Sequence, residues 1–247
     1  MSDRPSGEEA QRGAHVARAV AVVRGRIAEA AAGAGRDPAD VTLVAVTKTH
    51  PVHDVLAAAG AGVSDFGENR AVDLAAKGEA AARAMAEGGT GPARWHFLGK
   101  LQSGTVRHVA DAADVVHSAE PGGAIERLAR RRAVAGRVLD VLIQVDLTGT
   151  RQGVGPQEVA RSADSLVRMP GLRLVGLMTI PPITADPEGA REYFVRLREL
   201  SERLRTTHPA ARELSMGMSF DYEVGVEEGA TMVRVGTALF GQRPPKA

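Results

Sequence analysis

The chain has 247 residues, a formal net charge of +1, 44% hydrophobic and 25% charged side chains; this is a globular composition with no field to draw the molecule onto nucleic acid or an anionic membrane. It contains no cysteine, which excludes disulfides, thiolate metal sites, iron–sulfur clusters and cysteine nucleophiles, and suits a reducing cytoplasm. No apolar run approaches a membrane span, and the polar start, 1–13, lacks the apolar centre of a secretory signal.

Residues 1–10 and 242–247 read as mobile tails around one domain, 11–241. From 8 to 34 the pattern is helical, with Val16, Val20, Val23 and Ile27 at helical spacing and Gly33 and Gly35 as stops. Short β-branched runs then fall at 41–47, 63–66, 94–98, 115–118, 138–145, 172–178, 213–215 and 232–235. Helical stretches alternate with them at 52–59, 71–86, 102–110, 124–134, 156–167, 187–207 and 222–228, with one more turn after Gly236. Strict βα alternation implies a parallel sheet. Eight units in about 200 residues predict an α/β fold, a single TIM (β/α)8 barrel with an extra N-terminal helix. An open doubly wound sheet is the alternative and would carry a glycine fingerprint in its first βα turn. That turn reads Lys48-Thr49-His50-Pro51.

Only four of the 31 basic residues are lysines, at Lys48, Lys77, Lys100 and Lys246. Arginine supplies charge but stays protonated; a retained lysine hints that amine chemistry is needed. Reactive groups of such a barrel sit at the C-terminal ends of its strands. Lys48 ends the first strand over an apolar floor, where partial desolvation lowers an amine's pKa and frees it to attack a carbonyl. The plainer reading is a strand-end lysine paired with a carboxylate. Lys100, one glycine beyond the third strand, is its rival. Lys77, on a polar helix face, and Lys246, in the tail, read as solvated charges.

Near the end of the chain, Arg234-Val-Gly236-Thr237 passes from strand through a glycine turn into a short helix, whose first N–H groups suit an anion. Ser215-Met-Gly217-Met-Ser219 makes a second small-residue turn after the seventh strand. The loops after strands seven and eight are the usual phosphate site of this barrel. The plainer reading has the glycines closing tight turns and Ser219 capping a helix. First and last strands are neighbours in a closed barrel. A ligand with an aldehyde at one end and a phosphate at the other would bridge them, and pyridoxal 5′-phosphate has that shape.

Val44-Ala-Val-Thr-Lys48-Thr-His-Pro51, Phe66-Gly-Glu-Asn69, Trp95-His-Phe-Leu-Gly-Lys-Leu-Gln102, Gly176-Leu-Met178, Leu214-Ser-Met-Gly-Met-Ser219 and Arg234-Val-Gly-Thr-Ala-Leu-Phe-Gly241 occur in this order. Together they resemble the pyridoxal phosphate homeostasis protein family, over about residues 15–241. The resemblance implies the barrel of the alanine racemase N-terminal domain and a cytoplasmic, monomeric binder of pyridoxal phosphate. It implies buffering or delivery of that cofactor to dependent apoenzymes without an established catalytic turnover; composition and motifs lead us to expect no membrane or nucleic-acid partner. By position, Lys48 would form the Schiff base, and Ser215, Ser219, Gly236 and Thr237 would lie at the phosphate turns. Arg234 would face the pyridine nitrogen, Asn69 the ring or its substituents, and Met178, Met216 and Met218 the pocket wall; the methionines also read as core filler. Phe220 stands where the family commonly has aspartate, and Gly104-Thr105 where it has Asn-Lys.

An amino-acid racemase is the rival function. Racemisation needs a proton base on each face of the substrate carbon. The racemases take the second from a β-rich domain with no counterpart among these 247 residues; of the two tyrosines, Tyr193 lies on a helix and Tyr222 alone follows a site turn. His50 and His53 read as solvated loop histidines without metal-ligand company. His96 lies inside a strand and reads as a core histidine or a ligand contact. Arg127, Arg130, Arg131 and Arg132 read as a solvated basic face.

Overall fold

The computed structural model describes residues 7–88 and 91–242. Strands β1 (Thr42–Val46), β2 (Asp65–Glu68), β3 (Arg94–Phe97), β4 (Val115–Ala119), β5 (Leu139–Gln144), β6 (Leu172–Met178), β7 (Glu213–Met218) and β8 (Met232–Val235) form a closed barrel in chain order. Every neighbouring pair is parallel, and β8 closes on β1 with Ala45 opposite Val235. The helices between them are α2 (Val52–Gly60), α3 (Ala71–Gly88), α4 (Val106–Ala112), α5 (Gly123–Val134), α6 (Val159–Val167), α7 (Arg191–Arg205) and α8 (Tyr222–Glu227). The short α9 (Thr237–Phe240) follows β8, and α1 (Gly7–Gly33) precedes the barrel. This is the TIM (β/α)8 barrel with its extra N-terminal helix.

Alternation along the strands sorts the side chains into two layers. Leu43, Ala45, Phe66, Trp95, Val116, Val141, Leu214, Met216 and Val233 belong to the large buried cluster between barrel and helices. Val115, Leu142 and Met178 form a separate small cluster, which fills one side of the barrel interior. The other side is filled by polar groups, among them His96, His117, Ser215 and Arg234, all buried. Val16, Val20, Val23 and Ile27 are buried along α1, each stabilising by about 1.5–3 kcal/mol, which pins that helix across α2 and α8.

Differences from the expected boundaries have local causes. Helix α1 begins at Gly7, so residues 7–10 belong to it rather than to a tail; the rest of that tail and residues 243–247 lie outside the described residues. Strand β2 is displaced to Asp65–Glu68 because its register pairs Phe66 with Trp95 and Glu68 with Phe97. Residues 102–105 form a turn, closed by Thr105 N–H donating to Gln102 O at 2.9 Å, before α4 begins. Strand β7 runs past Ser215 to Met218 through an irregular register with β8. Gly217 makes that bend, with a φ of +90° and its α-carbon side packed against Tyr222, a conformation that suits only glycine.

Candidate functional site at the barrel mouth

Lys48, Asn69, Met178 and Met218 line one cavity of about 290 Å3 at the C-terminal end of the barrel, together with Ser219, Arg234, Gly236 and Thr237. Eight of the nine predicted site residues therefore converge from β1, β2, β6, β7 and β8. Ser215, the ninth, is fully buried and outside the lining; it lies behind Arg234, whose Nη1 donates to its Oγ at 2.5 Å. Met216 is also buried and packs in the outer cluster between barrel and helices, so it is core filler and not pocket wall. Leu98, Ile180 and Phe220 complete the apolar wall. A larger groove of about 610 Å3 between α3 and α4 is lined largely by Ala, Met, Pro and Trp side chains and receives none of these residues.

Lys48 is half-buried directly beyond β1. Thr49, which follows it, has a φ of +69°, the one such value outside glycine among the described residues. A β-branched residue there is strained, so the backbone beside the lysine is held by its surroundings. Thr47, which precedes it, donates its hydroxyl to Glu68 Oε1 at 2.7 Å. Lys77 reaches in from α3 and donates to Thr47 O at 2.7 Å and Glu68 Oε1 at 2.5 Å. Lys77 is thus mostly buried, not solvated as its helix face suggested. Lys100 is exposed and lines a different cavity of about 170 Å3 with Glu120 and Gln152. It does not compete with Lys48 for the same space.

Opposite Lys48, the turns after β7 and β8 meet. Gly236 N–H and Ala238 N–H donate to Ser219 Oγ at 3.0 and 3.3 Å. A Cβ at Gly236 would stand 3.1 Å from Val46 O, so glycine keeps this cradle open against β1. Arg234 is buried beneath it, and its Nη2 donates to Thr179 O at 2.9 Å. Burial pushes its pKa down to about 10 while Asp221 opposes the shift; it remains a cation at neutral pH.

Two expectations away from the cavity, the solvated readings of His50 and Arg132, need correcting. His50 is buried, with Nδ1 3.2 Å from Asp54 Oδ2 and its ring against Phe240; burial lowers its pKa. Arg132 is buried and donates to the carbonyls of Ala110, Ala113 and Val138. Tyr222 is buried in α8, and its hydroxyl faces Arg26 and Glu223, away from the cavity. His96 faces the interior, bonded to His117 and Asp65. His117 went unremarked in the sequence because Val-Val-His-Ser reads as an ordinary buried strand; its pairing with His96 depends on the register of β3 against β4.

The sequence profile of the alanine racemase N-terminal domain matches residues 23–244. The chain is 41% identical over 230 residues to the pyridoxal phosphate homeostasis protein of Pseudomonas aeruginosa, covering 92% of this chain and 96% of that protein. The chain belongs to the pyridoxal phosphate homeostasis protein family. The Aquifex aeolicus member is 37% identical over 221 residues, 88% of this chain and 94% of its own. Among solved structures, PipY of Synechococcus elongatus with pyridoxal phosphate bound superposes with a TM-score of 0.77 at 32% identity, over 92% of this chain and 100% of PipY. An unknown protein from Bifidobacterium adolescentis reaches a TM-score of 0.87 at 33% identity, with 97% of each chain covered. Alanine racemase of Corynebacterium glutamicum, at 18% identity and a TM-score of 0.61, shares the fold.

Proposed function

We propose that this chain binds pyridoxal 5′-phosphate as a Schiff base on Lys48 and serves its homeostasis in the cytoplasm, as a monomer that buffers the cofactor or delivers it to dependent apoenzymes without turning over a substrate. The observation that carries this reading is the meeting of Lys48 with Arg234, Ser219, Gly236 and Thr237 around one cavity. Binding of the cofactor by PipY supports it. The residues present fit the group: an amine at one wall, converging N–H donors at the other, and an apolar floor of Met178 and Ile180.

Pyridoxal phosphate supplies an aldehyde for a reversible bond to an amine, and a ring that draws electrons best when its nitrogen carries a proton. Ser219, Gly236 and Thr237 would hold the phosphate through hydroxyl and N–H donors. Arg234 would oppose a proton on the ring nitrogen by like-charge repulsion, which would suit holding the cofactor more than using it. Among the described residues neither a tyrosine nor a histidine lines the cavity, so a second proton base of the racemase kind is not part of this reading.

A spectrophotometric titration tests the reading. Wild-type chain develops a saturable visible band at one cofactor per chain, and Lys48→Ala loses the band. Equal bands in both would contradict the assignment. Alanine racemisation by the loaded chain that vanished in Tyr222→Phe would overturn the non-catalytic role.

A further inference from the structure

Beneath the cavity a single file of hydrogen bonds crosses the barrel interior. Arg234 Nη1 donates to Ser215 Oγ at 2.5 Å. Ser215 Oγ lies 2.8 Å from His117 Nδ1, and His117 Nε2 lies 2.8 Å from His96 Nδ1. His96 Nε2 ends the file 2.9 Å from Asp65 Oδ1. Five strands contribute one residue each, and His96, His117 and Ser215 have no exposed surface.

With both imidazoles neutral, the two ends fix the direction of every proton. A guanidinium only donates and a carboxylate only accepts. Asp65 therefore takes the proton of His96 Nε2, and in a neutral ring this leaves His96 Nδ1 bare to accept from His117 Nε2–H. His117 Nδ1 is then bare in turn and accepts the Ser215 hydroxyl proton, and Ser215 Oγ presents its lone pairs to Arg234. Both imidazoles are neutral in this arrangement, and no atom of the file is left without a partner. Packing does not demand it, since the β4–β6 side of the same interior is filled by Val115, Leu142 and Met178. A fully satisfied polar network in place of apolar filling specifies one arrangement.

We propose that His96 and His117 are positioning residues for Arg234: the one-way file from Arg234 to Asp65 keeps Ser215 turned as an acceptor toward the guanidinium and so fixes, from the far end of the barrel, the cation that faces the cavity. What that cation acts on rests on the cofactor reading above. Charged groups around the file agree with neutral rings. Burial, and then His96 and the cations Arg234 and Arg94 that face it, hold the His117 pKa well below the usual histidine range. His96 faces Asp65, Arg94 and Asp114, and burial outweighs the carboxylates. Asp221, in the turn between β7 and α8, faces Arg234.

Long-range proton–nitrogen correlation spectra of the cofactor-free chain, with labelled histidine, read the file directly. Both rings are expected neutral from pH 8 to pH 6, protonated on Nε2 and bare on Nδ1. A proton on Nδ1 of either ring in that range overturns the proposal, whatever the cavity binds. A second arm uses His117→Gln, whose amide can accept from Ser215 and donate to His96, beside His117→Phe, which can do neither. In the loaded chain the apparent pKa of the visible band stays at the wild-type value in the glutamine variant. It moves by about one unit in the phenylalanine variant, with Lys48 still fixed by borohydride. An unmoved titration in His117→Phe sinks the proposal. Absence of label on Lys48 in the wild type sinks the cofactor reading instead and leaves the spectra to decide the file.

Discussion

Arg234 carries its charge into an enclosed position, with Thr179 O and Ser215 Oγ as its partners. The histidines nearby avoid charge: burial lowers the pKa of His50, His96 and His117. Below about pH 6.5 the unfolded chain takes up protons that the folded chain refuses, so stability falls as pH drops, by up to about 1.4 kcal/mol per pH unit for each histidine. Asp54 and Asp65, held below the usual carboxylate range despite burial by Arg12 and by His96, add their loss only below about pH 4; Asp221, raised by burial, acts in the opposite sense near that same range. Urea unfolding at pH 7.5 and 5.5 is expected to show this fall, and the double variant His96→Gln, His117→Gln to show a shallower one. An equal fall in both would place the acid sensitivity elsewhere. At this scale Lys48 was legible in the sequence, because strand position and the rarity of lysine marked it. Lys77 and His117 were not, because burial of a helix-face lysine or a strand histidine depends on neighbours far away in the chain.

The first two strands and α3 are tied where the site begins. Thr47 and Lys77 both donate to Glu68 Oε1, and Glu68 has no exposed surface. Its other oxygen, Oε2, is buried without a hydrogen-bond partner among the described residues, so the ammonium of Lys77 is its main compensation. Lys77→Met would strand a buried carboxylate and is expected to cost about 3–5 kcal/mol. Glu68→Gln added to it should recover a large part of that, and a thermodynamic cycle from urea unfolding measures the difference. Additive effects would show that the pair is not coupled. Element order and type were legible here: the period-2 and period-3.6 patterns alternate cleanly. Boundaries failed where pairing overrode local pattern, as at β2, whose sequence pattern favours 63–66 while its partners hold Asp65–Glu68, and at β7, which Gly217 lets run on.

The whole molecule is a barrel closed strand by strand in chain order, and closure makes the site. It brings β1 beside β8 and so Lys48 across from the turns at Ser219 and Gly236. That neighbourhood was legible once eight βα units were counted, and the polar half of the interior was not, since it depends on which strand faces meet. Among the described residues no helix is long and apolar enough to cross a membrane. The proposed function takes the chain to act as a monomer. Light scattering is expected to return the mass of one chain with and without pyridoxal phosphate, and a stable dimer mass would contradict this. The central claim, the cofactor held on Lys48, meets its most direct test in borohydride reduction of the loaded chain followed by peptide mapping. The account predicts one reduced cofactor per chain, on the peptide that holds Lys48. Label on the peptide of Lys100, or no label at all, would contradict it.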